Sequence, residues 1–215
     1  NKTFLPENEV LRWAVQIADA LDYLHHQDPP IIHRDIKPSN IKITPSGLVK
    51  LVDFGLVKIM APDEVTITVI QGQGTALYTP LEQYGGDDTH TDPRADIFAF
   101  GATLYHLLTN EPPSEVRKRF LNNRSLIPPR EINPSLSIHV EKAILWAMSL
   151  HPDNRPLNVL SLRDALIGKQ EVPAYSTMDM LSFETPQMTI FPSEQIAGYI
   201  AGGLFLIGLF ATLLR

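Results

Sequence analysis

Three side chains in the stretch IIHRDIKPSN, Ile31 to Asn40, have the types and spacing that phosphoryl transfer requires. Asp35 supplies a carboxylate, Lys37 an ammonium group and Asn40 a side-chain amide. Phosphoryl transfer needs an oriented hydroxyl group, neutralised phosphate charge and a bound magnesium ion. We therefore predict that Asp35 orients the attacking hydroxyl and accepts its proton, that Lys37 contacts the transferred phosphate, and that Asn40 binds the metal.

The residues after this loop predict a β-hairpin that carries a second metal ligand. A strand with alternating apolar residues begins at Ile41, residues 45–47 have the composition of a turn, and a second strand runs from Leu48 to Val52. Asn40 lies at the entry of this hairpin and Asp53 at its exit, so folding is expected to bring them together. Their amide and carboxylate oxygens are ligands that Mg²⁺ prefers.

Helical periodicity predicts the elements that must position this loop. An apolar stripe predicts a helix from Pro6 to His26, and a segment that is apolar on most sides predicts a buried helix from Asp96 to Thr109. Residues 58–76 are predicted to form a loop. Together with the hairpin, these elements predict a mainly helical α+β fold, and further helices are predicted at Ser114 to Leu121, Ile138 to Ser149 and Val159 to Leu166.

The composition is that of a globular protein, since 44% of the 215 residues are hydrophobic and 20% are charged. The net charge of −6 and the lack of a long basic run argue against a nucleic-acid partner. The chain contains no cysteine, which excludes disulfides and thiolate chemistry. Residues 1–6 lack the pattern of a signal peptide.

The C-terminal residues have the composition of a membrane anchor. Residues 195–215 are predicted to form a single transmembrane helix, because Ile196 to Leu214 is uncharged and long enough to cross ~30 Å of hydrocarbon. The alternative, a buried core helix, is disfavoured because core helices are rarely apolar on every face. Gly198 and Gly202 have the spacing that lets two membrane helices approach, which suggests a homodimer. Residues 169–194 contain several prolines and are predicted to be a juxtamembrane linker.

Taken together, the loop and the hairpin resemble the signature motifs of the protein kinases. The resemblance covers about residues 7–168. These residues are similar to the large C-terminal lobe of bacterial membrane-anchored serine/threonine kinases. It implies ATP and Mg²⁺ as cofactors and proteins with serine or threonine hydroxyls as substrates. Lys37 is characteristic of the serine/threonine branch. The matching residues are His33, Arg34, Asp35, Lys37 and Asn40, then Asp53, Phe54 and Gly55.

Four further residues match the family pattern in chain order. The resemblance implies that Thr75 helps to position substrate and Asp35, that Asp96 braces the catalytic-loop backbone, and that Glu82 pairs with Arg155. Each has an alternative interpretation when taken alone: Asp96 as a helix N-terminal acid, which is less favoured, and Glu82 and Arg155 as unrelated surface charges. Residues 80–82 read Pro-Leu-Glu where the family usually has Ala-Pro-Glu. This departure alters the turn and makes substrate docking less predictable than metal binding.

Arg34, directly before Asp35, implies regulation by phosphorylation. A phosphothreonine adds roughly −1.5 to −2 charge, with which a buried arginine can pair and so order a loop. Thr66 and Thr68 are the candidate sites, and the alternative is that they are ordinary solvated threonines.

The main departure from the family is that these 215 residues contain no glycine-rich nucleotide loop, strand lysine or partnering helix glutamate before His33. We therefore expect a truncated gene model or fragment that lacks the small lobe. Residues 1–215 alone are expected to bind ATP weakly and to transfer phosphate slowly or not at all. The alternatives are a non-catalytic kinase-like membrane scaffold and a small-molecule phosphotransferase, and Lys37 with residues 75–82 argues against the latter.

The resemblance also implies a location. ATP and the reducing cytosol, with which the absence of cysteine is consistent, place residues 1–168 in the cytoplasm, with residues 195–215 crossing the cell membrane once. The expected partners are protein substrates and the membrane.

Overall fold

The computed structural model describes residues 3–54, 58–59, 75–84 and 92–173. These residues belong to one compact unit within residues 1–182. The predicted linker from residue 174 onward, the predicted transmembrane helix 195–215, Gly55, Thr66 and Thr68 lie outside the described residues. Among the residues described, no helix is long and apolar enough to cross a membrane.

Helix α1 (Glu7–His25) forms where the apolar stripe predicts it. Pro6 precedes it in an extended conformation. The acids Glu7 and Glu9 occupy the first turn, where their negative charges stabilise the helix by interacting with the positive end of its dipole. Its stripe buries five residues: Val10, Ala14, Ile17, Ala18 and Leu21. The Glu7 carboxylate also accepts hydrogen bonds from the backbone N–H and the hydroxyl of Ser137, each at 2.7 Å. This contact fixes the start of α1 to the residue before α5 (Ile138–Ala147).

Helix α2 (Arg94–Thr109) is the central element, because it packs against α1, α4 (Pro129–Ile132), α5 and α6 (Val159–Leu166). Most of its residues are buried, as the apolar composition on nearly all sides predicts. Gly101 allows close packing, since a Cβ at this position would lie 2.7 Å from the Ala147 Cβ of α5. Any larger side chain there would push the two helices apart.

Two short antiparallel sheets lie among the described residues. Strands β2 (Ile41–Ile43) and β3 (Val49–Leu51) form the predicted hairpin, with Ile41 opposite Leu51. Gly47 provides the positive φ of 82° that the turn requires. Strands β1 (Ile31–Ile32) and β4 (Lys58–Ile59) form the second sheet. The predicted loop at residues 58–76 is therefore wrong at its first two residues.

The helix boundaries differ from the predictions by a few residues. Helix α3 covers Val116–Leu121 rather than residues 114–121, and α5 ends at Ala147 rather than at Ser149. The four-residue helix α4 was not predicted, because it is too short to show an apolar period.

A hydrogen bond between Tyr78 and His106 holds the segment 75–84 against α2. The Tyr78 hydroxyl lies 2.6 Å from His106 Nδ1, and the two rings are stacked. Burial lowers the pKa of His106 and raises the pKa of Tyr78. Both groups are therefore neutral near pH 7, and the hydrogen bond joins a neutral tyrosine hydroxyl to a neutral imidazole ring.

We predict that His106→Gln makes the stability of the protein less dependent on pH. In the unfolded chain His106 has a pKa of about 6.5, whereas its folded pKa is lower. Its contribution to the free energy of unfolding is therefore fully present above about pH 6.5 and is lost as the pH falls toward the folded pKa. Glutamine keeps an acceptor for Tyr78 but does not titrate. Urea unfolding at about pH 7.5 and pH 5.5 measures how much the free energy of unfolding falls between the two pH values. This fall should be smaller in His106→Gln than in the unmodified protein, and an equal fall in both would contradict the prediction.

Candidate active site

Asp96 of α2 shapes the backbone of the loop that carries the predicted catalytic residues. Its buried carboxylate accepts hydrogen bonds from the backbone N–H groups of His33, at 2.8 Å, and Arg34, at 2.7 Å. Arg34 has a φ of 67°, a left-handed conformation that costs a non-glycine residue about 1 kcal/mol or more. The two charge-assisted bonds offset this cost and hold the chain in the turn before Asp35.

The loop brings the side chains of Asp35, Lys37 and Asn40 together. Lys37 Nζ lies 2.8 Å from Asp35 Oδ2, and Asn40 Nδ2 donates to the same oxygen at 2.8 Å. Asn40 Nδ2 also donates to the Asp35 backbone carbonyl at 3.0 Å. Asp35 is 7% exposed and Asn40 is 5% exposed, so both are held in a fixed orientation with one edge of the carboxylate near the surface.

The hairpin places Asp53 beside this group, as the spacing predicts. The Val52 N–H donates to the Asn40 carbonyl at 2.9 Å, and Asp53 is the next residue along the chain. Asp53 is exposed and has a φ of 65°, so a second non-glycine residue at the site adopts the left-handed conformation.

The oxygens of Asn40 and Asp53 fit a magnesium ion. A carboxylate and an amide oxygen are hard ligands, and Mg²⁺ is commonly bound by one or two protein groups together with phosphate and water. No group of three or more His, Cys, Asp or Glu that could hold a metal occurs among the described residues.

His33 and Phe54 connect the loop to the end of the hairpin. Their ring centroids are 4.7 Å apart and the rings are tilted by 50°. His33 is fully buried, whereas Phe54 is 50% exposed. Phe54 thus covers His33 on one side and presents its other side outward.

Glu82 and Arg155 form the predicted ion pair. The guanidinium group contacts both carboxylate oxygens, with Nη1–Oε1 at 2.6 Å and Nη2–Oε2 at 3.0 Å. Arg155 also donates to the backbone carbonyls of Arg94, Ser149 and Leu150. This bidentate, largely buried pair anchors the segment 75–84 to the helices. Thr75 begins a one-turn 3₁₀ helix (Thr75–Leu77), and the position of its side chain is outside what the structure describes.

The comparison with protein families agrees with this geometry. Residues 1–162 match the family described as the protein kinase domain, and the chain belongs to the protein kinase family. The resemblance inferred from the loop and hairpin motifs is thereby confirmed at the level of the family.

Several bacterial kinases are similar to this chain. Serine/threonine-protein kinase PknB of Mycobacterium leprae is 32% identical over 168 residues, which cover 76% of this chain and 26% of that protein. A probable serine/threonine-protein kinase of Clostridium acetobutylicum is 35% identical over 166 residues, with 74% and 24% covered. Tyrosine-protein kinase MasK of Myxococcus xanthus is 34% identical over 174 residues, with 76% and 26% covered. The chain spans about a quarter of the length of these curated relatives.

His25 is a positioning residue that the sequence analysis did not identify. Its Nε2 donates to Asp96 Oδ2 at 2.9 Å, and the two side chains are 7% and 0% exposed. His25 therefore supplies the third hydrogen bond to the carboxylate that holds His33 and Arg34. Its neighbour His26 is exposed and contacts Asp22 on the surface of α1. The sequence shows two adjacent histidines at a helix end, and only the phase of the apolar stripe separates the inward from the outward one.

We predict that His25→Ala destabilises the protein and that His25→Gln largely restores it. Removing a hydrogen bond to a buried charged group should lower the free energy of unfolding by about 1.5–3 kcal/mol. Glutamine can donate to Asp96 in place of the imidazole. His26→Ala is the matched control and should change the stability by less than about 0.5 kcal/mol. Urea unfolding of the four proteins measures these differences, and equal effects of the two alanine variants would show that His25 does not support Asp96.

Proposed function

We propose that this chain is the large lobe of a serine/threonine protein kinase that transfers the γ-phosphoryl group of ATP to protein hydroxyls. The observation that carries the proposal is the convergence of Lys37 and Asn40 on one oxygen of Asp35, with Asp53 placed beside Asn40 by the hairpin. This arrangement combines a candidate base, a cation and two oxygens of the kind that Mg²⁺ prefers.

Each residue has a role in the transfer. Asp35 orients the substrate hydroxyl and accepts its proton as the hydroxyl oxygen bonds to the γ-phosphorus. The bond from that phosphorus to the bridging oxygen breaks, and ADP is released. Lys37 balances the charge of the transferred group from its position against Asp35. Mg²⁺ bound by Asn40 and Asp53 would neutralise the phosphate charge.

The type of acceptor is inferred from Lys37 and from the relatives. Lys37 favours serine and threonine hydroxyls, and the names of the relatives from M. leprae and C. acetobutylicum specify serine/threonine kinases. The M. xanthus relative is named a tyrosine kinase, so the family alone does not decide the acceptor. The anchored segment 75–84 supports a protein substrate over a small molecule, because the Glu82–Arg155 ion pair and the Tyr78–His106 hydrogen bond hold it in place against the helices.

The proposal includes a small lobe that encloses the nucleotide, as membership of the protein kinase family implies. The second candidate, a non-catalytic kinase-like scaffold, would apply if the full-length protein transfers no phosphate. We further propose that residues 195–215 anchor the protein in the cell membrane with the kinase lobe in the cytoplasm, and that Gly198 and Gly202 support a homodimer. We also propose that Thr66 and Thr68 are phosphorylation sites. Mass spectrometry of the active full-length protein tests this, and finding both residues unmodified would exclude it.

We predict that Asp35→Asn in the full-length gene product lowers kcat by about 10²–10⁴-fold, because asparagine cannot accept the hydroxyl proton. Asparagine still offers an oxygen to Asn40 Nδ2, so the fold should be retained. Asp53→Asn should raise the Mg²⁺ concentration needed for half-maximal activity. Lys42→Gln, an exposed change on the same hairpin, is the control. The measurement is phosphate transfer from labelled ATP to a protein acceptor at varied Mg²⁺.

Two outcomes would contradict the proposed enzyme. Full activity of Asp35→Asn would show that Asp35 does not accept the hydroxyl proton. Absence of transfer by the folded full-length protein under all Mg²⁺ concentrations would favour the scaffold instead.

A further inference from the structure

Helix α3 exposes two large apolar side chains next to each other. Phe120 is 64% exposed and Leu121 is 85% exposed, whereas Val116 and Arg119 of the same helix are buried. Single exposed apolar residues are ordinary on a protein surface, but adjoining ones surrounded by polar residues indicate a site where a partner binds.

Basic residues lie close to this apolar pair in the sequence. Residues 116–130 contain five basic side chains and no Asp or Glu, in a chain whose net charge is −6. Three of the basic side chains, Arg117, Lys118 and Arg124, are exposed. We refer to these three with Phe120 and Leu121 as the α3 surface. A partner that buries the apolar pair must accommodate the cations, so acidic groups in the partner are favoured.

The α3 surface is rigidly attached to the helices of the core. Arg119, on the buried side of α3, donates through Nη2 to the Met148 carbonyl at 2.7 Å. Its guanidinium carbon lies 5.8 Å from the Phe98 ring centroid, and the Arg155 guanidinium carbon lies 5.0 Å from the same centroid. Burial lowers the pKa of Arg119 to about 10, so it remains charged near neutral pH. A fixed helix loses little conformational entropy when a partner binds.

The α3 surface is also continuous with the segment assigned to the substrate. The Arg117 guanidinium carbon lies 4.0 Å from the Tyr84 ring centroid. The Tyr84 hydroxyl donates to the Ala76 carbonyl at 3.2 Å and to Glu115 at 3.4 Å. Burial raises the pKa of Tyr84 to about 12, which keeps the hydroxyl protonated. Tyr84 therefore links α3 to both ends of the segment 75–84.

We propose that the α3 surface docks a segment of the protein substrate that is acidic and carries apolar side chains. This inference rests on the proposed function and adds a substrate class to it. The apolar residues of the segment cover Phe120 and Leu121, while its carboxylates pair with Lys118 and Arg124. An anionic lipid surface has related chemistry, but the contact of Arg117 with Tyr84 joins the α3 surface to the substrate segment and favours a protein partner.

The first experiment measures binding without phosphate transfer. The probe is a fluorescent pool of peptides of about twelve residues, with Asp or Glu at alternate positions and Leu, Phe, Ile or Met between them. Matched pools carry Lys in place of the acids or Ser in place of the apolar residues. We expect the full-length protein to bind only the acidic apolar pool, and more weakly at high salt. Binding should fall about tenfold in Phe120→Ser/Leu121→Ser and in Lys118→Glu/Arg124→Glu.

Control variants separate docking from folding and catalysis. Tyr23→Ser removes another exposed aromatic residue, on α1, and should leave binding unchanged. Asp35→Asn should also bind the pool normally, because the α3 surface does not include the catalytic loop. Equal binding of all three pools, or no effect of the α3 variants, would overturn the proposal. Binding of phosphatidylserine vesicles but not of the acidic apolar pool would assign the surface to lipid instead.

The second experiment uses phosphate transfer. Joining an acidic apolar segment to a serine-containing acceptor peptide should lower its KM by about tenfold without changing kcat, and Phe120→Ser/Leu121→Ser should abolish that advantage. The acceptor without the segment should react equally with both enzymes. If the protein binds the acidic apolar pool but transfers no phosphate, the proposed kinase function is refuted and the proposed docking surface is retained. If phosphate is transferred with the same KM whether or not the acceptor carries the segment, the proposed docking surface is refuted and the proposed kinase function is retained.

Discussion

The carboxylate of Asp96 is the constraint on which the active site depends. It is fully buried and accepts three hydrogen bonds, from His25 Nε2 and from the backbone of His33 and Arg34. A buried carboxylate with fewer donors would be costly, and unpaired backbone N–H groups in the core would be costly as well. The carboxylate and the N–H groups satisfy each other's hydrogen-bonding requirements. The loop can therefore turn at Arg34 in a left-handed conformation that a non-glycine residue otherwise avoids.

The geometry at Asp35 follows from that turn. Lys37 and Asn40 reach the same carboxylate oxygen of Asp35, and Asp96 of α2 holds the backbone that leads into Asp35. The hairpin adds Asp53 through one backbone hydrogen bond, between Val52 and Asn40. Arg34 and Asp53, the residues that flank this polar group, both adopt the left-handed conformation. Strain of this kind persists where surrounding contacts over-determine the backbone, and it is typical of functional sites.

Local patterns in the sequence were sufficient for the main elements. The apolar stripe of α1, the apolar composition of α2 and the turn at residues 45–47 each depend on near neighbours, and each was predicted within a few residues. The pairing of β1 with β4 was missed, because two-residue strands separated by 25 residues leave no periodic signal. The His25–Asp96 contact joins residues 71 apart, so only the folded arrangement of α1 on α2 reveals it.

The two halves of the site are held in different ways, and this difference bears on how it works. Asp35 and Asn40 are buried and hydrogen-bonded to each other, so the group proposed to orient the acceptor is held in place by contacts among the described residues. Asp53 and Phe54, at the hairpin exit, are exposed, and each has one side without cover from the described residues. The group proposed to orient the acceptor is therefore fixed by internal contacts, whereas Asp53, the proposed metal ligand, is exposed. A small lobe that packs over Phe54 and Asp53 would close that side and, by excluding water, strengthen the electrostatic contacts around the transferred phosphate.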